Sequence, residues 1–318
     1  MKMKYLPFVA LSLCSMSVCS YANETVSVYG RAHVGVQNSD KDGDSDTSIE
    51  SYNSRMGLKG SAKLQEGLEI FYKYEFQVEI TDQDKDGKSG DNLTARSQYL
   101  GVKGSYGQLL IGRDDTPMKK SQGKVDLMND FSGDINSFFV GENRLGDTVQ
   151  YTTPAINHLQ FTVSYIAEDN SKQNGEDGLS LSASYGDSKL KKTNVYVAVA
   201  HDNKVAGQDI NRVTVQGRLG DFKLGGMYQQ NEAIDSNNEE VDSFMVSAAY
   251  QIESYTLLAQ YQDSDGAAGK LKDSGNAASV GVEKSLSKQA RMYLWYSKFS
   301  LDNNEDHNTM AVTLRYDF

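Results

Sequence analysis

Apolar and polar residues alternate with period two through most of the chain from Val26 to Phe318, in roughly sixteen short segments. The clearest runs from Leu68 to Ile80. Leu68, Ile70, Tyr72, Tyr74, Phe76, Val78 and Ile80 share one face, and Glu69, Lys73, Glu75, Gln77 and Glu79 share the other. Successive side chains of a strand point to opposite sides, so each segment predicts a strand with one dry face and one wet face. A face this charged does not enter a dry core without a large desolvation penalty.

The connections alternate in length. Long polar ones lie near 38–47, 81–93, 114–145, 169–177, 202–208, 231–240, 263–275 and 301–307; short turns lie near 61–66, 104–107, 154–158, 186–189, 219–221, 251–254 and 285–289. Eight long loops and seven short turns separate sixteen strands, and antiparallel strands so joined place every long loop at one end. The prediction is an all-β fold: a closed 16-stranded antiparallel transmembrane β-barrel spanning residues 23–318 as one domain. An even strand number lets the first strand pair with the last. A soluble β-sandwich explains neither the alternation of loop lengths nor the character of the chain end.

Composition fits. The hydrophobic fraction is 38% and mean hydropathy is −0.55, and after residue 22 no apolar run approaches the ~18 residues a spanning helix needs. Only alternate residues of a barrel strand meet lipid, so low hydropathy does not argue for solubility. Residues 1–22 read as a cleaved secretory signal peptide. Lys2 and Lys4 precede an apolar stretch from Leu6 to Val18, and Ser20 with Ala22 form the small-x-small cleavage pattern. Cys14 and Cys19 both fall in that segment, so a mature chain from Asn23 has neither a disulfide nor a thiol nucleophile. Leu13 and Val18 stand where a lipoprotein signal has a small residue before its cysteine.

The formal charge is −11, and losing Lys2 and Lys4 makes it −13. That balance disfavours nucleic acid as a partner. Much of the acid sits in loops: Asp40, Asp42, Asp44 and Asp46, then Asp82, Asp84, Asp86 and Asp91. Solvated loop tips are one reading. Asp82-x-Asp84-x-Asp86-Gly87 copies the first half of an EF-hand loop, but Leu93 stands where the bidentate Glu belongs. A loose calcium or magnesium contact bridging to lipopolysaccharide phosphates is the other reading; no resident metal or cofactor is expected.

The last segment carries Met310, Val312, Leu314, Tyr316 and Phe318 on one face against Ala311, Thr313, Arg315 and Asp317. A strand ending in Phe with Tyr two residues earlier resembles the carboxy-terminal signature of Gram-negative outer-membrane proteins. Val26 to Arg31, Ser54 to Gly60, Arg96 to Gly104 and Gly107 to Pro117 resemble, in order, successive blocks of the general, non-specific trimeric porin family. The resemblance implies an outer-membrane homotrimer that passes ions and small hydrophilic solutes by diffusion, inserted by the barrel assembly machinery among lipopolysaccharide.

The third long connection, 114–145, is far longer than a hairpin needs and carries Val125, Leu127, Met128, Phe131, Ile135, Phe138, Phe139 and Val140. These suit a segment packed against an inner wall. In the porin family the third loop folds inward and narrows the channel, and Asp126 to Asp134 with Phe138 to Gly141 resembles its central stretch. The resemblance implies Asp126 and Asp130 at the constriction, with Asp134 nearby. Arg55 shares parity with Ser51, Asn53 and Lys59, opposite Met56 and Leu58, and is expected to face water. Arg96 and Arg144 match the family's other basic wall positions, although Leu100 and Val102 share the parity of Arg96. From the acidic balance the channel is expected to be mildly cation-selective.

Two other functions stay open. A sugar-specific channel needs a ladder of lumen aromatics, for which Tyr196, Tyr293 and Trp295 are the candidates. A barrel hydrolase needs converging catalytic groups, but His33, His158, His201 and His307 sit in separate segments without H-E-x-x-H or G-x-S-x-G spacing.

Overall fold

The computed structural model describes residues 25–81, 92–234, 239–303 and 306–318. The expected leader at 1–22 and most of the acidic run from Asp82 to Leu93 lie outside the described residues. The chain opens with β1 (Thr25–Lys41), β2 (Asp44–Ser51), β3 (Arg55–Gln65), β4 (Leu68–Val78), β5 (Leu93–Gly104) and β6 (Gly107–Asp115). The third loop comes next, carrying α1 (Pro117–Ser121) and a 3-10 turn (Ile135–Ser137). Then come β7 (Arg144–Thr152), β8 (Leu159–Ile166), β9 (Gly178–Gly186), β10 (Val195–Val205), β11 (Gln208–Leu219) and β12 (Phe222–Ala233). The wall ends with β13 (Glu240–Ile252), β14 (Tyr255–Ser264), β15 (Gly275–Ser285), β16 (Ala290–Leu301) and β17 (Asp306–Asp317).

All pairings are antiparallel, and β1 closes the cylinder on β17 from Arg31 opposite Asp317 to Lys41 opposite His307. β2 and β3 are halves of one stave, since β1 pairs with both, so the seventeen segments make the sixteen staves expected. The break has a local cause. Asn53 takes a left-handed φ of 54°, the Tyr52 N–H donates to the His33 carbonyl at 2.8 Å, and the Ser54 hydroxyl accepts from the His33 N–H at 3.0 Å. These bonds satisfy the backbone where the ladder is interrupted, and they turn Tyr52 and Asn53 toward the lumen.

The two solvents sort the faces as the alternation requires. Val28, Ile111, Val280 and Leu314 stand exposed on the outside, while Ser164, Thr214, Gln229 and Thr313 are buried on the inside. Closure pairs the backbone around the wall, which the bilayer demands of any structure crossing it. Connections 38–47 and 202–208 are not loops: the strands continue to two-residue turns, Asp42-Gly43 and Ala206-Gly207, with positive φ at both positions. Polar residues outside a bilayer still pair when the hairpin partner is adjacent. The turn read at 186–189 runs instead from 187 to 194, where the Asp187 carboxylate accepts from the N–H groups of Lys189, Lys191 and Lys192.

The apolar core lies inside the barrel, between the third loop and the wall. Val125, Ile135, Phe138 and Phe139 pack on Met227, Met245, Ala277 and Phe299. Met128 and Phe131 pack on Tyr52, Tyr293, Trp295 and Ala311. Each large side chain so buried contributes about 1.5–3 kcal/mol. The loop therefore folds inward because its apolar residues find dry surface only there.

Candidate functional site

Polar wall residues hold the loop backbone at fixed points. The Lys124 N–H donates to Gln216 Oε1 and the Leu127 N–H to Gln260 Oε1, both at 2.7 Å; Gln260 and Gln262 donate to the Gly133 carbonyl. Arg212, buried on β11, ties both ends of the loop together. Its guanidinium donates to the Met118 and Val140 carbonyls, to Gln229 Oε1 and to Glu142 Oε1, the last at 2.7 Å. At the loop's start the Thr116 hydroxyl caps α1 by accepting from the Lys119 N–H, and Pro117 stands next, where a helix tolerates it.

The loop's centre meets a basic wall. Asp130 accepts from Arg31 Nη1 at 2.9 Å and from Asn53 Nδ2 at 3.2 Å, and lies 3.7 Å from Arg315 Nη1. Beside it, Arg96 Nε donates to Glu75 Oε1 at 2.8 Å, and the Tyr29 hydroxyl donates to Glu75 Oε2 at the same distance. Arg55 lines the same cavity and has no carboxylate within 4.0 Å among the described residues. The cavity measures about 1160 Å³.

The expected site residues separate into three groups. Asp130, Arg55 and Arg96 gather on the lumen surface, with Asp130 in contact with the basic wall rather than across water from it. Asp126 is 7% exposed and accepts from the N–H groups of Met128 and Ile135, so it holds the loop's own fold. Asp134 caps the 3-10 turn by accepting from the Asn136 N–H at 2.8 Å. Burial pushes the Asp126 carboxyl up to about 6 and raises Asp134 well above its ordinary value, with the charge of Glu142 adding to both and that of Asp126 adding to Asp134. Arg144 borders the same cavity at the loop's foot, 2.9 Å from Asp115.

Arg96 faces inward because of a bulge. β4 and β5 pair Tyr74 with Gln98 and Phe76 with Ala95, so Glu75 alone opposes Arg96 and Ser97. The extra residue reverses parity, putting Leu100 toward lipid while Arg96 enters the lumen. Sequence reasoning missed Arg31, Arg315, Glu75 and Arg212 as members of the site. Parity carried a signal for two of them, since Arg31 alternates with Val26 and Val28, and Arg315 with Leu314 and Tyr316.

The lumen aromatics do not form a ladder. Tyr196, Tyr293 and Trp295 are buried, and Trp295 stacks on Phe131 with centroids 5.0 Å apart. They anchor the loop, and although Tyr196 and Tyr293 border the central cavity, both rings are more than nine-tenths buried. The histidines stay dispersed: His33 meets Thr313, His201 meets Asn211 and His307 meets Thr309.

Among the described residues, ten basic and seven acidic side chains line the central cavity, so its balance runs opposite to that of the whole chain. Two of the acids, Asp126 and Asp134, are turned into the loop's own hydrogen bonds.

Comparison with known proteins gives a consistent result. A family model described as Gram-negative porin matches residues 9–304. Among solved structures, the anion-selective porin from Comamonas acidovorans superposes with a TM-score of 0.74 at 18% identity, covering 93% of this chain and 100% of that one. OmpF of Salmonella typhi, solved with daunomycin, gives 0.74 at 19% identity, covering 92% and 97%. The outer-membrane OmpT of Vibrio cholerae gives 0.70 at 20% identity, covering 93% and 98%. No curated protein sequence matches the chain.

Proposed function

Because the chain belongs to the Gram-negative porin family and hence to the outer membrane, we propose that it is a water-filled channel passing ions and small hydrophilic solutes by passive diffusion, without turnover. The observation that carries the reading is the charged cavity left between the inserted loop and the wall of β1, β3, β5 and β17. A conducting path must admit solutes without holding them, and charges on fixed elements around a narrowed lumen meet that demand.

We read the third loop as the sieve, with Asp130 as its acidic lumen group facing Arg31, Arg55, Arg96 and Arg315; Arg144 serves the loop's foot. The mild cation preference drawn from overall charge is replaced by a preference for anions. Screening limits exposed charges to about 10 Å at 0.1 M ionic strength, so lumen charges outweigh the acidic loop tips. The lumen balance is basic, and Asp130 is already neutralised by two arginines. A sugar-specific channel lacks support because its candidate aromatics are buried, and a barrel hydrolase lacks support because the histidines do not converge.

Assembly as a homotrimer among lipopolysaccharide, delivered by the barrel assembly machinery, completes the proposal. Planar-bilayer recording of the purified protein tests it: the expected record shows closures in three equal steps and a reversal potential of anionic sign in a KCl gradient. Absence of conductance defeats the channel reading, and a cationic sign at low salt defeats the charge argument.

A further inference from the structure

A second cavity opens off the first, below the third loop and toward the end of the barrel that carries the short turns. It measures about 230 Å³ and is lined by Lys124 of the loop, Lys189 and Lys191 of the 187–194 turn, and Lys223 at the start of β12. Lys124, Leu127, Ser188, Lys189 and Lys223 line both cavities, which makes them continuous.

No carboxylate lines this side cavity, and none of the four ammonium groups has an ion-pair partner among the described residues. The acids whose fields reach it are engaged elsewhere. Asp126 is held by loop N–H groups, Asp130 by Arg31, and Glu283 lies 3.4 Å from Arg291. Asp187 is occupied by the N–H groups of its own turn.

The cluster is built rather than scattered. Gln216 fixes its two halves to each other, accepting from the Lys124 N–H at 2.7 Å while donating from Nε2 to the Ser188 carbonyl at 2.6 Å. Crowding by protein and the nearby charge of Lys189 hold the Lys124 ammonium below its ordinary range. Like charges held together by the fold gain most from an ion carrying two or more negative charges, because one such ion relieves several repulsions at once.

The structure assigns this side cavity as a binding subsite for small multivalent oxyanions, of the class of inorganic phosphate and short dicarboxylates, between the constriction and the turn end of the channel. It extends the channel reading, since a solute reaches the pocket through the central cavity, but binding there is measurable without conduction. The ammonium groups act as point charges that reshuffle easily, which suits a transient stop rather than a tight site.

Equilibrium dialysis of radiolabelled phosphate against the purified barrel in non-ionic detergent at low salt is the test, with succinate and chloride as competitors. Expected is saturable binding of about one phosphate per chain, displaced by succinate far more readily than by chloride. The triple variant K124Q/K189Q/K223Q weakens binding by about tenfold or more, while K189R retains it. K284Q, a lysine resting on the Tyr255 ring, leaves it unchanged. Heat-modifiable migration in gels verifies that each variant is folded. Absence of saturable binding, or equal binding by the folded triple variant, overturns the assignment. Single-channel recording of the same preparations separates the two readings: conductance without phosphate binding removes only the subsite, and binding without conductance removes only the channel.

Discussion

Replacing Arg212 with Met separates the clamp at the loop's ends from the apolar packing at its middle. The guanidinium is fully buried and makes five hydrogen bonds, to Met118 at the start of the loop, to Val140 and Glu142 at its end, and twice to Gln229. Removing one partner of a buried ion pair costs about 3–5 kcal/mol, chiefly because the other charge is left stranded. Here the stranded charge is Glu142, 6% exposed at its side chain. Six buried side chains of the loop's middle, from Val125 to Phe139, still contribute about 1.5–3 kcal/mol each, so the ends open while the middle stays docked. Opening frees the backbone at Lys119 and Lys120 for cleavage by trypsin. At ~1.4 kcal/mol per tenfold, nicking of R212M should run about two to three and a half orders of magnitude faster than wild type, if reclosing outpaces cleavage. The double variant R212M/E142Q removes the stranded charge and should recover to within about tenfold of wild type. Gel assay of nicked barrel against time reads both. Wild-type nicking by R212M, or a double variant as labile as the single, refutes the clamp.

The same geometry sets the outcome of three further perturbations. In D130N, Arg31 and Arg315 lose one of their two shared counter-ions, Asp317 remaining at 3.0 and 2.8 Å. A unit charge ~8 Å from the ion path is worth about 0.5 kcal/mol at water-like dielectric, so the anion-to-cation permeability ratio should rise about fivefold at low salt and less at high salt. An unchanged reversal potential would contradict this. Asp126 ionises near pH 6, so it is charged at pH 8 and largely neutral at pH 5, and burial raises Asp134 well above the ordinary carboxylate range. Their raised values mean that the docked loop holds protons the free loop would release: docking is favoured below about pH 6 and weakens as pH rises through it. Anion preference should therefore grow from pH 8 to pH 5 and grow less in D126N, as read by reversal potentials at both pH values. F131A removes the ring stacked on Trp295 and edged by Tyr293. At about 3–5 kcal/mol for such a truncation, the loop's centre should retreat, raising single-channel conductance and the size limit for neutral polymers; unchanged conductance speaks against the anchor.

Alternation is a local property, and its direct consequences were legible in the chain. Period-two sorting with long and short connections determined the closed sixteen-stave wall, and the apolar residues between Val125 and Val140 determined that the third loop turns inward. The parity of Arg55 placed it in the lumen without reference to any partner. Contacts between distant residues were settled only in the tertiary structure. Arg96 enters the lumen because pairing with β4 inserts a bulge at Glu75, which no single strand records. Asp130 meets Arg31 across 99 residues of sequence, while Asp126, four residues earlier, is spent on N–H groups of its own loop. The sign of the lumen was likewise hidden, because net charge sums over every surface. Screened electrostatics reads only the side chains that the closed wall gathers around one water path.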